Sequence, residues 1–309
     1  MAMLTTGFND LLKLDNLMRA FVSDKFNDMV RENEYQKIVN IVSSKRKAED
    51  TTTISDLPKF TRKAEGNNVP YVDLTQGYDK RITNYTWSQG LAITPEMLLF
   101  DQYGQIKKGA KRMSTSGALT KEYIVANMLN YATSTTDADG YSTAGGDALA
   151  LLSTAHTNLD GTTYSNKLSS WTALSYTSLQ DVIDLIEASV TDNSNPIGLK
   201  VKNLIVPRKL RAKSLELTQS PYRPDNAENA INVYKTAGGW MLTPCVNHFI
   251  TSQTNWYVQA NEHDLTLQVA KEFSLERDTD PWNRNILYIA SLICGAGFNS
   301  PRGMAGSSS

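Results

Sequence analysis

The chain has 309 residues, enough for a sizeable core and either two subdomains or one domain with long excursions. Its 31 basic and 32 acidic residues leave a net charge of −1, which excludes a wholesale basic protein that coats nucleic acid. No apolar run reaches about eighteen residues, and the start lacks the pattern of a secretory signal, so we expect neither a membrane span nor export. Two cysteines, Cys245 and Cys294, are too few for a disulfide scaffold and indicate a reducing cytoplasm.

The first fifty residues contain a charged amphipathic stretch. Apolar residues recur at helical spacing from Leu14 to Val30, and charged residues alternate between them. The pattern is typical of a surface helix followed by a linker, and it also fits an arm that lies on a neighbouring subunit.

Residues 51–92 are predicted to be extended, because they are rich in β-branched and aromatic residues and contain breakers such as Pro58, Gly66 and Pro70. Their apolar alternation is too poor for strands that are buried on their own core. A hairpin with about twenty residues per arm would reach roughly 60 Å, and isolated hairpins are marginal in water. The excursion therefore needs another surface, which indicates assembly.

Two helices are predicted next, a short one capped by Thr94 and a long one over residues 103–131. The long helix starts with a basic cluster, for which a solvated face and a phosphate-facing surface both remain open. The cluster comprises Lys107, Lys108, Lys111 and Arg112.

Residues 132–166 contain no Lys or Arg and are predicted to be loop. A helix is then predicted from the capping-box pattern at Thr177–Gln180. The remaining predicted elements are a strand over 201–206, a helix over 208–219, and strands near 240–246, 256–259, 265–275 and 285–293.

A second basic group follows residue 199, and it could face phosphate or pair with acidic residues of an adjacent subunit. Neither basic group is interleaved with aromatic residues, so sequence-specific reading of nucleic acid is not expected. This group comprises Lys200, Lys202, Arg208, Lys209, Arg211 and Lys213.

Few residues point to chemistry. His156, His248 and His263 are not at metal-ligand spacing, and no nucleotide or hydrolase motif occurs, so we expect no metal and no cofactor. The turn at 137–140 begins like a calcium loop, but its glycine comes too early and the closing glutamate is missing. Ser153 precedes His156 without a visible orienting acid, so His156 is predicted to brace a loop rather than to catalyse.

Six short motifs follow one another in a recognisable order. They lie at residues 66–78, 90–97, 101–106, 151–158, 204–207 and 220–232. The fourth, Leu151-Leu-Ser-Thr-Ala-His-Thr-Asn158, is similar to a Leu-Phe-Ser-Thr-Ala-His-Pro-Asn signature, with Leu152 and Thr157 departing from it. Together the motifs resemble the major capsid (head) proteins of tailed bacteriophages, of the branch related to the Mu-like head subunit. The resemblance covers roughly residues 60–305.

The resemblance implies an α+β fold of the Hong Kong 97 type. It assigns an N-terminal arm to residues 1–50, an extended β-hairpin loop to 51–92, a peripheral domain with a long spine helix to 93–195, an axial domain to 196–260, and a return to the peripheral domain with a C-terminal tail to 261–309.

The resemblance also implies roles for particular residues. The extended-loop residues expected to contact another subunit are Lys59, Arg62, Lys63, Tyr71, Tyr78, Tyr85 and Trp87. The loop expected near the capsomer centre comprises Pro221, Tyr222, Arg223, Pro224, Asp225 and Asn226. The basic cluster of the spine helix is the candidate for the DNA-facing side. Some relatives crosslink a loop lysine to an asparagine, but no catalytic acid can be matched here, so we do not expect crosslinking.

The expected function is structural and not enzymatic. Copies of the chain would form the hexamers and pentamers of an icosahedral phage head around double-stranded DNA, in virions assembled in the cytoplasm of a bacterial host. A separate scaffolding protein and a portal are expected partners, and a decoration protein remains open. The alternative is an encapsulin-like nanocompartment shell that encloses enzyme cargo, and a hydrolase that uses Ser153 and His156 is a third hypothesis.

Overall fold

The computed structural model describes residues 24–26, 34–94, 96–97, 100, 103–224, 231–235 and 240–308, with the backbone alone for 103–107 and 110. In chain order the elements are α1 (Tyr35–Ile38), β1 (Asn40–Ser43), β2 (Ala48–Ile54), β3 (Gln76–Thr83), β4 (Tyr85–Ile93), α2 (Tyr103–Asn130), β5 (His156–Thr157), β6 (Thr163–Tyr164), α3 (Tyr176–Glu187), β7 (Val201–Pro207), a 3-10 turn (Arg208–Leu210), α4 (Arg211–Gln219), β8 (Thr243–Asn247), β9 (Trp256–Ala260), β10 (Thr266–Thr279), β11 (Ile286–Gly297) and β12 (Met304–Ser307).

Two four-stranded sheets organise the chain. The first has the order β1-β10-β11-β4, in which β1 runs parallel to β10 and the other pairs are antiparallel. The second has the order β12-β9-β7-β8, in which β7 and β8 are parallel. Mostly antiparallel sheets with separate helices make this an α+β fold, as predicted.

The long helix α2 lies against both sheets, because its apolar stripe is buried in a core that they share. Val125 and Leu129 of α2 have no exposed surface, and this core includes Ile205 and Tyr257 of the second sheet and Leu267 of the first. The stripe predicted for residues 103–131 is therefore the element that joins the two sheets.

A second core lies on the other face of the second sheet. Leu179 and Val182 of α3 and Leu217 of α4 pack there against Leu204 of β7 and Val258 of β9. The two cores follow from β7, where neighbouring residues point to opposite faces of the sheet.

The start of α3 differs from the prediction. Ser175, not Thr177, is the N-cap residue, and its side chain accepts a hydrogen bond from the Ser178 backbone N–H. The Ser178 side chain in turn accepts from the Ser175 backbone N–H, so a serine completes the box in place of the predicted glutamine.

The excursion after β1 is shorter than predicted. β2 pairs with β3 from Ala48 opposite Thr83 to Ile54 opposite Gln76, which leaves residues 55–75 as the projecting loop. β4 instead pairs with β11 along its whole length and belongs to the first sheet. Of the amphipathic stretch predicted from Leu14 to Val30, the structure describes only residues 24–26, which are helical.

Glu122 lies on the side of α2 that faces the second sheet. It is only 7% exposed, and its Oε1 accepts a hydrogen bond from Asn247 Nδ2 at 3.1 Å. Burial raises the pKa of this carboxyl from 4.5 to about 7, a backbone hydrogen bond from Tyr35 lowers it, and the Glu34 carboxylate raises it. A carboxylate charge at this position is therefore costly at neutral pH.

Shortening Leu129 to alanine should lower the free energy of unfolding by about 2–5 kcal/mol, because a side chain in the shared core is lost. Leu119→Ala on the same helix is the control, since Leu119 is 38% exposed and should cost less than about 1 kcal/mol. Denaturant unfolding of both variants measures the difference, and equal losses would contradict the packing described.

Replacing Glu122 with glutamine should remove a pH dependence of stability. Because the folded pKa is raised, the stability that the carboxyl contributes is complete below pH 4.5 and is lost as the pH rises through about 7. The unchanged chain should lose about 3 kcal/mol between pH 5 and pH 8. Glu122→Gln should lose far less, and the exposed Glu262→Gln should behave like the unchanged chain in denaturant unfolding at both pH values.

Candidate assembly surfaces

The loop of residues 55–75 leaves most of its apolar side chains in solvent. A reversal at Gly66 turns the chain back, with φ of 81° and a hydrogen bond from Asn67 N to Ala64 O at 3.2 Å. The exposed apolar residues of the loop are Leu57, Phe60, Val69, Tyr71, Val72 and Leu74. Phe60 is fully exposed and Tyr71 is 95% exposed, so the described part of the subunit provides no surface that covers them.

The predicted extended-loop residues divide into two groups. Lys59, Arg62, Lys63 and Tyr71 lie on this exposed loop. Tyr78 of β3 instead donates a hydrogen bond from its hydroxyl to Thr157 O at 3.1 Å within the subunit.

The prediction that Tyr85 and Trp87 lie on the excursion is wrong, because both belong to β4 and pair with β11. The Tyr85 ring packs on Tyr141 with centroids 4.3 Å apart, and Trp87 packs against the shared core. Whether Tyr78, Tyr85 or Trp87 also touch a neighbouring subunit remains a prediction.

A network of hydrogen bonds holds the base of the loop. We call it the polar platform and define it as Asn299 and Arg302 with their hydrogen-bond partners. Asn299 Nδ2 donates to Thr51 O at 3.2 Å and to Tyr78 O at 3.3 Å, so one side chain connects both strands of the hairpin to the end of β11. Asn299 fits in this position because Gly146 beside it has no side chain. A Cβ added to Gly146 would lie 1.9 Å from Asn299 Oδ1. No local pattern marks Asn299 in the sequence, because its contacts are with residues distant in the chain.

Arg302 extends this platform. Its Nη2 donates to Asn158 Oδ1 at 2.6 Å and to Asp192 Oδ1 at 2.7 Å, which connects two loops. Asn193, the next residue, donates from its side chain to the Asp56 carbonyl at the start of the projecting loop. The platform therefore sets the direction in which the loop leaves the subunit.

His156 is fully buried, and its Nδ1 lies 2.6 Å from Asp147 Oδ2. Its partner Asp147, which was not predicted, lies nine residues upstream in a glycine-rich loop. The Ser153 hydroxyl accepts from Ala155 N at 3.2 Å, and no bond between Ser153 and His156 occurs in the described residues. The serine–histidine contact that a hydrolase needs is thus not formed, and the bracing role of His156 stays a prediction.

The turn at 137–140 is closed by donors of the protein. Asp137 Oδ1 accepts from the backbone N–H groups of Asp139 at 3.0 Å and Tyr141 at 2.8 Å, and Asn127 Nδ2 donates to Oδ2 at 2.7 Å. Among the described residues, no group of three or more acidic, histidine or cysteine side chains could hold a metal ion. None of the described helices combines the length and apolar character needed to cross a bilayer.

The predicted basic cluster on α2 is solvent-facing where its side chains are described, at Lys108, Lys111 and Arg112, and the Lys107 side chain lies outside that part. Its orientation toward DNA stays a prediction.

Of the predicted capsomer-centre loop, Asp225 and Asn226 lie outside the described residues, and Pro221 to Pro224 are described. Tyr222 is exposed, and the Arg223 guanidinium lies 4.0 Å from the centre of the Tyr176 ring. The position of this loop in a capsomer remains a prediction.

The second basic group is divided by β7. Lys200 and Lys202 lie at the start of the strand, and Arg208, Lys209 and Arg211 follow its end. A seven-residue strand is about 20 Å long, so these residues form two separate patches.

Replacing His156 with alanine should lower the free energy of unfolding by about 2–4 kcal/mol, because the Asp147 carboxylate stays buried without its partner. The exposed His248→Ala is the matched control and should change it by less than about 0.5 kcal/mol. Denaturant unfolding checks both, and a stable His156→Ala would rule out the bracing role.

Comparison with known proteins gives a consistent result. A family model described as phage capsid protein matches residues 77–307. The chain is similar to the virus-like particle from Pyrococcus furiosus at 12% identity and a TM-score of 0.54, with 94% of this chain and 98% of that one covered. It is similar to the capsid of the native GTA particle at 9% identity and a TM-score of 0.58, with 88% of each chain covered. It is similar to the capsid of Myoviridae Phage XM1 at 10% identity and a TM-score of 0.54, with 86% of this chain and 88% of that one covered. No curated protein matches.

These similarities confirm the predicted Hong Kong 97-type fold, whereas membership of the Mu-like branch remains a prediction. The family match covers residues 77–307, well over half of the 309. The chain therefore belongs to the phage capsid protein family.

Proposed function

We propose that copies of this chain assemble into the hexamers and pentamers of an icosahedral head that encloses double-stranded DNA. The observation that carries the proposal is the loop of residues 55–75, whose large apolar side chains are left exposed by the part of the subunit that the structure describes. The loop has a fixed base and an uncovered end, as expected for a strap that lies on the next subunit. No chemical step is needed for this role.

Burial at the interface supplies the driving force. Obligate interfaces commonly bury about 2,000 Å² or more, and each buried apolar Å² contributes about 25 cal/mol before the cost of ordering. The exposed rings of Phe60 and Tyr71 are the expected anchors, because large aromatic side chains dominate interface energies.

The proposal includes partners and a place of assembly. We propose assembly in the cytoplasm of a bacterial host, with a separate scaffolding protein and a portal, and with packaged DNA held without sequence specificity. The near-zero net charge supports dense packing, since strongly charged subunits would repel one another.

A nanocompartment shell with enzyme cargo is the second candidate function, and the similarity to the Pyrococcus furiosus virus-like particle is the observation in its favour. Nuclease treatment of purified particles separates the two functions. Protected double-stranded DNA inside the shell supports the phage head, and protein cargo without DNA supports the nanocompartment.

The double change Phe60→Ala with Tyr71→Ala should abolish or strongly reduce particle formation while the subunit still folds. Both rings are exposed in the subunit, so its free energy of unfolding should change by less than about 0.5 kcal/mol. Sedimentation measures assembly, and Thr61→Ala on the same loop is the control. Normal assembly of the double variant would contradict the proposed role of the loop.

A further inference from the structure

The helix α3 carries an acidic stripe, defined as Asp181, Asp184 and Glu187. These residues recur every three positions on the exposed face, opposite the buried Val182 and Ile186, and α3 contains no basic residue. Glu187 accepts a hydrogen bond from Trp240 Nε1. Within the part of the chain that the structure describes, neither Asp181 nor Asp184 forms an ion pair.

A basic corner, defined as Arg208, Lys209 and Arg211, lies where β7 passes into α4. All three side chains are exposed, and none is in an ion pair with another described residue. The next basic residue, Lys213, lies 3.4 Å from Glu216 in a local pair. The corner is therefore positive and is not neutralised by the described part of its own subunit.

Both charged groups include residues at a helix end where the helix dipole has the same sign as their charge. Asp184 and Glu187 occupy the last turn of α3, where the helix dipole is negative. Arg211 occupies the first turn of α4, where the dipole is positive, and no acidic residue is present in that turn. Each arrangement is locally unfavourable, and departures from local preference are expected at functional surfaces.

The two groups lie on the same face of the second sheet but toward opposite edges. Residues of α3 and α4 share one core, while α3 packs mainly on β12 and α4 mainly on β8, the two outer strands. Two subunits that meet edge to edge would bring the acidic stripe of one against the basic corner of the next. The helix dipoles then match as well, because the negative end of α3 meets the positive end of α4.

We propose that the acidic stripe of one subunit binds the basic corner of its neighbour around each capsomer ring. Such a contact joins two different surfaces, and contacts of this type close into rings when the rotation between neighbours divides a full turn evenly. Complementary charges would fix which edge meets which during assembly. The inference rests on the proposed function and names the surfaces through which its rings close.

Charge reversal tests the pairing. The acid-reversed variant carries Asp181→Lys and Asp184→Lys, and the base-reversed variant carries Lys209→Glu and Arg211→Glu. Each alone places like charges at every contact and should lower the yield of particles by at least about tenfold in sedimentation. A chain with all four changes should recover assembly, because the charges are complementary again.

A one-to-one mixture of the two double variants gives a second readout. Alternating rings satisfy every contact, so the mixture should form hexamers and no pentamers, because five subunits cannot alternate. The control for the acid-reversed variant is Asp139→Lys with Glu262→Lys, which changes net charge by the same amount at exposed acids elsewhere and should assemble normally. Circular dichroism confirms that each variant folds.

Two results would overturn the pairing while the unchanged chain assembles. The first is normal assembly of either double variant, and if normal particles of the base-reversed variant also protect less DNA, the basic corner faces DNA. The second is failure of the folded four-change chain to recover. If the unchanged chain forms no particles at all, the proposed function itself fails, which is a distinguishable outcome.

Discussion

The structure depends on the burial of one helix stripe between two sheets. The stripe of α2 fills a core to which both sheets contribute, through Ile205 on one side and Leu267 on the other. Burial of such side chains contributes about 1.5–3 kcal/mol each, and these residues serve two sheets at once. The sheets therefore form one packed unit and not two independently folded layers.

That packed unit makes the exposed loop possible. The first sheet and the polar platform around Asn299 hold the hairpin at its base, so the end of the loop can stay unburied without loss of the subunit fold. The loop has no core of its own, since residues 55–75 form no regular strand or helix. The described part of the subunit leaves its large apolar side chains exposed, as is typical of a surface that another molecule covers.

Periodicity predicted the long elements well and the contacts between distant segments poorly. The stripe of α2 and the apolar run of β7 are local patterns, and both appear where the sequence placed them. The cap of α3 moved by two residues because Ser175 and Ser178 can form the same reciprocal bonds as the predicted pair.

The residues around the candidate surfaces show why the rest escaped prediction. β4 resembled the excursion because its partner β11 lies about 200 residues later in the chain, and pairing over that distance leaves no local pattern. Asp147 is likewise an ordinary loop aspartate until the fold places His156 beside it. The second basic group was visible in the sequence. Its division into two patches was not, because the folded strand β7 is what separates its halves.

The shared core has a geometric consequence for a closed container. Close-packed side chains of α2 fix the angle between the two sheets, and packed interiors resist continuous deformation. A container with both fivefold and sixfold vertices requires subunits to meet at unequal tilts. In such a container each subunit body stays rigid, so the curvature has to arise at the contacts between subunits and in the projecting loop.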